Sequence, residues 1–325
     1  MSDALKTAEY VVFGVAIFGD LLYFLFIRYK TDPAMDVYRI LLYYNLYADI
    51  ALTVLSFLCK PFIAVYNGNV YFIGDTPFKT ENPAACFILF SFYIYCFYQT
   101  FIVCPMSYYF RYLAVCKAQI LTNCKFIALA IFWTLIAAGS VTVFATFVMY
   151  PTEDRLVDFY STKDTFDTTI LKDIHRSFAG LSSSRDSSLL LQLCMWNGFL
   201  IVATSYVVTF YFMHKVTSSF RIRHKGTKWH DINKQIARVM LVQASVPMLL
   251  MAPAYLILFQ MFIFGMESDL KQYLMNVLMT LAPLVNPYVG ILMVKSYRNA
   301  LCGCFSSSRE QEVYPEEQTA DEDVI

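Results

Sequence analysis

Seven apolar stretches, each close to or beyond the roughly 20 residues of helix needed to cross about 30 Å of hydrocarbon, dominate this chain. They run over about 10–29, 40–59, 86–114, 126–150, 192–213, 239–264 and 272–294. Backbone groups without partners are too costly in lipid, so spans of this length must be helices; the short alternation of barrel strands is absent. The sequence therefore predicts an all-α membrane protein, a bundle of seven transmembrane helices. Composition agrees, with 58% of residues apolar and 15% charged, against about 45–50% and about 25% in soluble domains. The first span follows nine residues that hold no basic n-region, and no small-residue cleavage site ends it, so it reads as a retained helix.

Lysine and arginine resist translocation, and their placement predicts orientation. With the N-terminus outside, 16 of the 25 basic residues fall on the inner side, seven of them between Lys215 and Arg238. The expected organisation is an extracellular N-terminus over 1–9, a seven-helix bundle over 10–296, and a disordered acidic cytoplasmic tail over 297–325. A long second outer loop, 151–191, and a basic third inner loop, 214–238, interrupt the bundle. Basic and acidic residues balance at 25 each, which removes a general case for nucleic acid. The nine cysteines include no C-x-x-C pair and the four histidines lie outside the apolar runs, so no metal site, cofactor or Cys/His nucleophile is expected.

An ionisable group at a helix centre costs roughly 2.5 to 3.5 kcal/mol on insertion scales, so each one needs a reason. Asp20 lies midway along the first span, Asp49 midway along the second with Asn45 one turn before it, and Asn286-Pro287 interrupts the seventh. If these three helices are neighbours, the four polar residues form one cluster. Two readings fit: a water- or cation-filled switch with one carboxyl protonated, or a static interhelical clamp. An aspartyl protease is disfavoured, because neither aspartate sits in a recurring glycine-rich motif. Pro105, Pro247, Pro253, Pro283 and Pro287 each remove a helical hydrogen bond, and their concentration in the last two spans has two readings: a half of the bundle that moves, or simply curved helices.

The outer half of the third span is aromatic. Tyr93, Phe97 and Tyr98 there, with Trp196 and Asn197 on the fifth span, Met251 and Tyr255 on the sixth, and Tyr273 and Asn276 on the seventh, are the candidate lining of a pocket for a small, mostly uncharged ligand. At the inner end of the third span, Arg111 either snorkels to the interface or holds helix ends together until a partner arrives. Arg111 and Tyr112, with Arg221, Arg223 and Arg238 of the basic loop, are the candidate contacts for a cytoplasmic partner; the loop also suits anionic membrane lipid. Cys302 and Cys304, past the last span, are candidate palmitoylation sites, and the terminal Asp323-Val-Ile325 is a weak PDZ-protein signal.

In this order and spacing, several short pieces resemble the rhodopsin-like receptors, and more closely the nematode serpentine chemoreceptors of the str superfamily. They are Tyr38-Arg-Ile-Leu-Leu, Lys60-Pro-Phe, Phe110-Arg-Tyr-Leu-Ala-Val-Cys116, Gln235, Gln243-Ala-Ser-Val-Pro247, Pro253, Asn286-Pro287 and Lys295-Ser-Tyr-Arg298, and they span Thr31 to Arg298. The resemblance implies rhodopsin-like architecture with the N-terminus outside. It implies a G-protein-coupled chemosensory receptor, olfactory or pheromonal, not an enzyme, at the plasma membrane of a sensory cilium. Its partners would be an odorant or pheromone and a heterotrimeric G protein. It also implies a disulfide from Cys86, 25 residues before Arg111, for which Cys194 is the available partner. The chain departs from the wider pattern at Phe110, where an acid is expected, at Gly290, where tyrosine is expected, and at Asp20, where asparagine is expected. The rival functions are a ligand-gated seven-helix channel of inverted topology and a small-solute transporter. Inverted topology would place the cation-rich side outside, and transporters commonly carry internal repeats, which this chain lacks.

Overall fold

Helices occupy the apolar stretches. The computed structural model describes residues 2–31, 36–66, 69–74, 83–117, 119, 122–150, 183–184, 189–223, 242, 245, 249–266 and 268–305. Among these, six helices are long and apolar enough to cross a membrane: Tyr10–Tyr29, Tyr38–Cys59, Phe87–Cys116, Asn123–Val143, Gln192–Ser219 and Leu270–Met293. A shorter apolar helix, Leu249–Phe264, is the described part of the sixth expected span. The full elements are α1 (Ser2–Tyr29), α2 (Asp36–Cys59), β1 (Pro61–Tyr66), β2 (Asn69–Gly74), α3 (Pro83–Cys116), α4 (Asn123–Met149), β3 (Ser183–Ser184) and α5 (Leu189–Arg223). They continue with α6 (Leu249–Phe264), α7 (Asp269–Met293) and α8 (Lys295–Phe305).

Helix α1 starts at Ser2, within the segment read as the N-terminus, and α8 covers Lys295–Phe305 and with it the first part of the segment read as the tail. Val294, at φ −81 and ψ 116, breaks α7 and turns the chain. Beyond it Tyr297, Ala300 and Leu301, spaced i, i+3, i+4, pack onto the cluster of Tyr23, Ile27, Leu42 and Leu46. The amphipathic spacing outweighs the polar composition.

Helix α3 is the axis of the bundle. It is 56% buried over its most apolar window, against 28% for α4, and packs on α2, α4 and α5. Helices α1, α2 and α7 are mutual neighbours, as the polar-cluster reading requires. Phe18, Leu21 and Leu25 on α1, and Ile131, Trp133 and Leu135 on α4, are exposed large apolar side chains on the bundle's outside. In a bilayer lipid covers such a surface.

One end of the bundle carries a small sheet that sequence reasoning missed. Helix α2 ends at Lys60, whose left-handed φ of 39 costs roughly 1–2 kcal/mol for an L-residue. Its amide still bonds Ser56 O at 2.8 Å, and its ammonium sits 4.4 Å from the centre of the Tyr10 ring. Pro61 then begins β1, which pairs antiparallel with β2 in the register Pro61↔Gly74 to Tyr66↔Asn69. β3, from the second long loop, adds to the far side of β2 through Val70↔Ser183 and Asn69↔Ser184. The sheet order β1-β2-β3 leaves β1 at the edge, with Ile63 and Val65 buried in the main core.

Candidate functional site

The site is built from three levels along the bundle. At mid-depth Asn286 on α7 donates to both carboxylate oxygens of Asp49 on α2, at 2.8 Å each. One turn earlier on α2, Asn45 accepts from Ser107 Oγ of α3 at 3.2 Å. Asp20 on α1 accepts from Thr53 Oγ1 at 3.5 Å. Asp20 and Asp49 are 1% and 5% exposed. The structure thus holds the sequence-predicted polar residues in three hydrogen-bonded pairs, of which Asn45, Asp49 and Asn286 line one cavity, with Thr53 and Ser107 as members that sequence reasoning did not select. Asp20 Oδ1 and Asn286 Oδ1 are buried acceptors with no hydrogen-bond donor among the described residues. Beside Asp49 lies a cavity of ≈ 30 Å³ lined by Asn45, Thr100, Cys104, Met251, Pro283 and Asn286, among others. At about 10–15 Å³ for each centre, it has room for water or a small monovalent cation.

Glycines hold α1 against α7 at this depth. A Cβ on Gly19 would lie 2.7 Å from the Tyr288 ring, and one on Gly290 would lie 2.7 Å from the Tyr23 ring. Tyr288 donates to Val15 O at 2.7 Å. Gly290, where the resemblance leads one to expect tyrosine, is therefore the recess that Tyr23 of α1 fills. Replacing Gly290 by valine is expected to lower stability by about 1–3 kcal/mol through overpacking, visible as a fall in thermal midpoint of the detergent-solubilised protein. Below this contact Tyr297, fully buried, shares a 2.6 Å hydrogen bond with Thr31 Oγ1. Burial pushes the Tyr297 phenol up to about 12, so its hydroxyl stays neutral across the physiological range.

At the end away from the sheet, Arg111 is fully buried, which excludes simple snorkelling. Its guanidinium lies 5.7 Å from the Tyr38 ring centre on α2, within cation–π range. Phe110 turns the other way, edge-on to Phe126 of α4 at 5.0 Å. An apolar slot against α4 thus occupies the place where an acid is expected, and an aromatic ring faces the arginine. Tyr112 packs on Phe212 of α5 at 5.3 Å, and Cys116 Sγ reaches Lys215 O at 3.8 Å. Of the other candidate contacts, Arg238 and the side chains of Arg221 and Arg223 lie outside the described residues.

Near the sheet, five of the nine candidate ligand residues come together. Tyr93, Phe97, Tyr98, Met251 and Tyr255 are buried in one cluster with Cys194 and Met195. Tyr255 donates to Met195 O at 2.6 Å, and the Tyr98 and Tyr255 hydroxyls fill the space that a side chain at Gly198 would need. The other four point elsewhere. Asn197 donates to Ser140 on α4 at 3.3 Å, Trp196 is 45% exposed beside Phe259, and Tyr273 is exposed on α7. Asn276 bonds β1. Met251 belongs to both the aromatic cluster and the polar cavity, and accepts from Thr100 Oγ1 at 3.6 Å. Cys194 is a free, buried thiol; the side chain of Cys86, its expected partner, lies outside the described residues. Cys302 is exposed on α8, while the side chain of Cys304 and the terminal residues 306–325 lie outside the described set.

Comparison with known proteins agrees with this architecture. No curated protein matches the chain. The family model described as "Serpentine type 7TM GPCR chemoreceptor Srd" matches residues 5–303. That match takes in the polar cluster, the buried arginine and the aromatic cluster alike. The family is one of receptors, not of enzymes, and its members cross the membrane several times. With nearly the whole chain matched and the helices in place, this protein belongs to the serpentine seven-transmembrane chemoreceptors of the Srd family, a nematode family within the str superfamily.

Proposed function

We propose that the receptor binds a small, mostly uncharged odorant or pheromone among Tyr93, Phe97, Tyr98, Met251 and Tyr255, and signals through a heterotrimeric G protein at the Arg111 end. The observation that carries this reading is the double position of Met251, at once in the aromatic cluster and in the wall of the cavity beside Asp49. A guest that displaces this flexible side chain alters the packing around Asn286 and Pro283. It thereby biases two states of the bundle. The N-terminus and the sheet then face the outside, and the basic segment before Arg238 faces the cytoplasm. The site of action is the plasma membrane, with the sensory cilium as its specialised region.

Purified receptor in lipid nanodiscs, screened with volatile and ascaroside-like compounds for nucleotide exchange on a purified G protein, tests this. A compound that accelerates exchange supports the reading. Met251→Ala is expected to reduce that response by about tenfold, equivalent to about 1.4 kcal/mol of coupling. An unchanged response in Met251→Ala moves the link elsewhere. Labelling of the 214–238 segment by a membrane-impermeant reagent on intact cells would reverse the orientation.

A further inference from the structure

We infer that β1 is a lid over the sheet end of the bundle and that Gln272 and Asn276 of α7 are its latch. Edge strands leave alternate N–H and C=O groups without strand partners. On β1 these groups are taken by side chains of a helix. Asn276 accepts the Ile63 N–H at 2.9 Å through Oδ1 and donates to Ile63 O at 3.0 Å through Nδ2. Its carboxamide thus pairs with both polar groups of one residue, as a neighbouring strand would. Gln272 donates to Val65 O at 2.8 Å. The match is geometric: one helical turn of four residues rises about 6 Å, and two residues of strand advance about 6.6 Å, so positions 272 and 276 read Val65 and Ile63 in turn.

The lid is also seated by apolar contact. Ile63 and Val65 insert into the same buried cluster as Tyr93, Met275 and Cys59, and cover it from the end. Among the described residues, the polar ties between β1 and the helices are the three latch bonds. Lifting β1 breaks them while β2 keeps its ladder on β1, so strand pairs move as a unit and the aromatic cluster opens to that end. Asn276 also donates to Gln272 O at 2.7 Å, a bond within its own helix that holds the carboxamide in place whether or not the lid is seated. Gln272 and Asn276 are therefore positioning residues that set how readily a ligand gains access, and they tie the lid's position to α7.

The inference rests on the receptor reading only for what passes beneath the lid, and its test needs neither ligand nor G protein. Hydrogen exchange of the full-length receptor in nanodiscs is read at the peptide covering 61–66, with alkylation of Cys59 by a membrane-impermeant maleimide mapped by mass spectrometry. Asn276→Ala is expected to speed both by about tenfold, while the peptide covering 97–101 on α3 keeps its protection. Asn276→Asp, which keeps the acceptor for Ile63 N–H, is expected to fall between. Thr280→Val, which touches only Asn276 O, is expected to match the native protein. Should Asn276→Ala unfold, Gln272→Ala removes one bond of the three and is expected to give a smaller rise in the same two readouts. Native-like exchange and alkylation in the foldable latch variants would overturn the proposal.

Discussion

Replacing Asp49 by alanine is expected to abolish ligand-driven nucleotide exchange, or reduce it by at least about 100-fold, while Asp49→Asn retains part of it. The carboxylate accepts both hydrogen bonds that the Asn286 carboxamide donates. A buried hydrogen bond contributes about 0.5–1.5 kcal/mol net, and removing the acceptor leaves a buried donor unsatisfied at a cost of about 1–3 kcal/mol. Asn286 precedes Pro287, so the bond fixes α7 where its backbone ladder is already interrupted. On the proposed mechanism, its loss would remove the distinction between the two states at this depth. Asparagine keeps the shape and one acceptor. Exchange assays on variants matched for surface expression check both. A static clamp predicts otherwise: Asp49→Ala would lower the thermal midpoint, yet the surviving folded receptor would respond normally.

The second large effect is expected at Arg111. Arg111→Ala should remove G-protein activation, and Tyr38→Ala should raise exchange in the absence of ligand by about tenfold, the equivalent of about 1.4 kcal/mol. The guanidinium is fully buried against the Tyr38 ring. Contacts of this type contribute up to about 2 kcal/mol when desolvated. This contact ties α2 to α3 at this end of the bundle. Tyr38→Phe retains the ring but loses the hydroxyl that bonds the Arg111 side chain, and its basal exchange should fall between those of the native protein and Tyr38→Ala. Equal basal exchange in Tyr38→Ala and the native protein would remove Tyr38 from the resting state.

The helices were legible because their period and length leave no alternative in lipid, and the polar cluster because a carboxylate in hydrocarbon draws attention to itself. Asp49 and Asn286 needed only the neighbourhood of α2 and α7 to meet. Other elements were harder to see. The β1–β2 hairpin sits in a stretch read only for its charges, although Asn67-Gly68 between two β-branched and aromatic runs is a strong hairpin signal. Helix α8 was hidden by polar composition, with its apolar face just three positions wide. The direction of a side chain around its helix was the least legible quantity. Trp196 and Tyr273 have the aromatic character of pocket residues, yet stand exposed. Tyr38 entered only within the Tyr38-Arg-Ile-Leu-Leu resemblance, and its pairing with Arg111 was not visible because that partner lies 73 positions further along the chain.

The reciprocal insertion of Tyr23 into Gly290 and Tyr288 into Gly19 has a mechanical outcome. Each tooth sits in the other helix's socket, so α7 cannot spin about its own axis or slide along α1 without stripping both. The two rods are therefore geared, and the shift around Asn286 and Pro283 that the proposed function calls for would carry α1 along with α7.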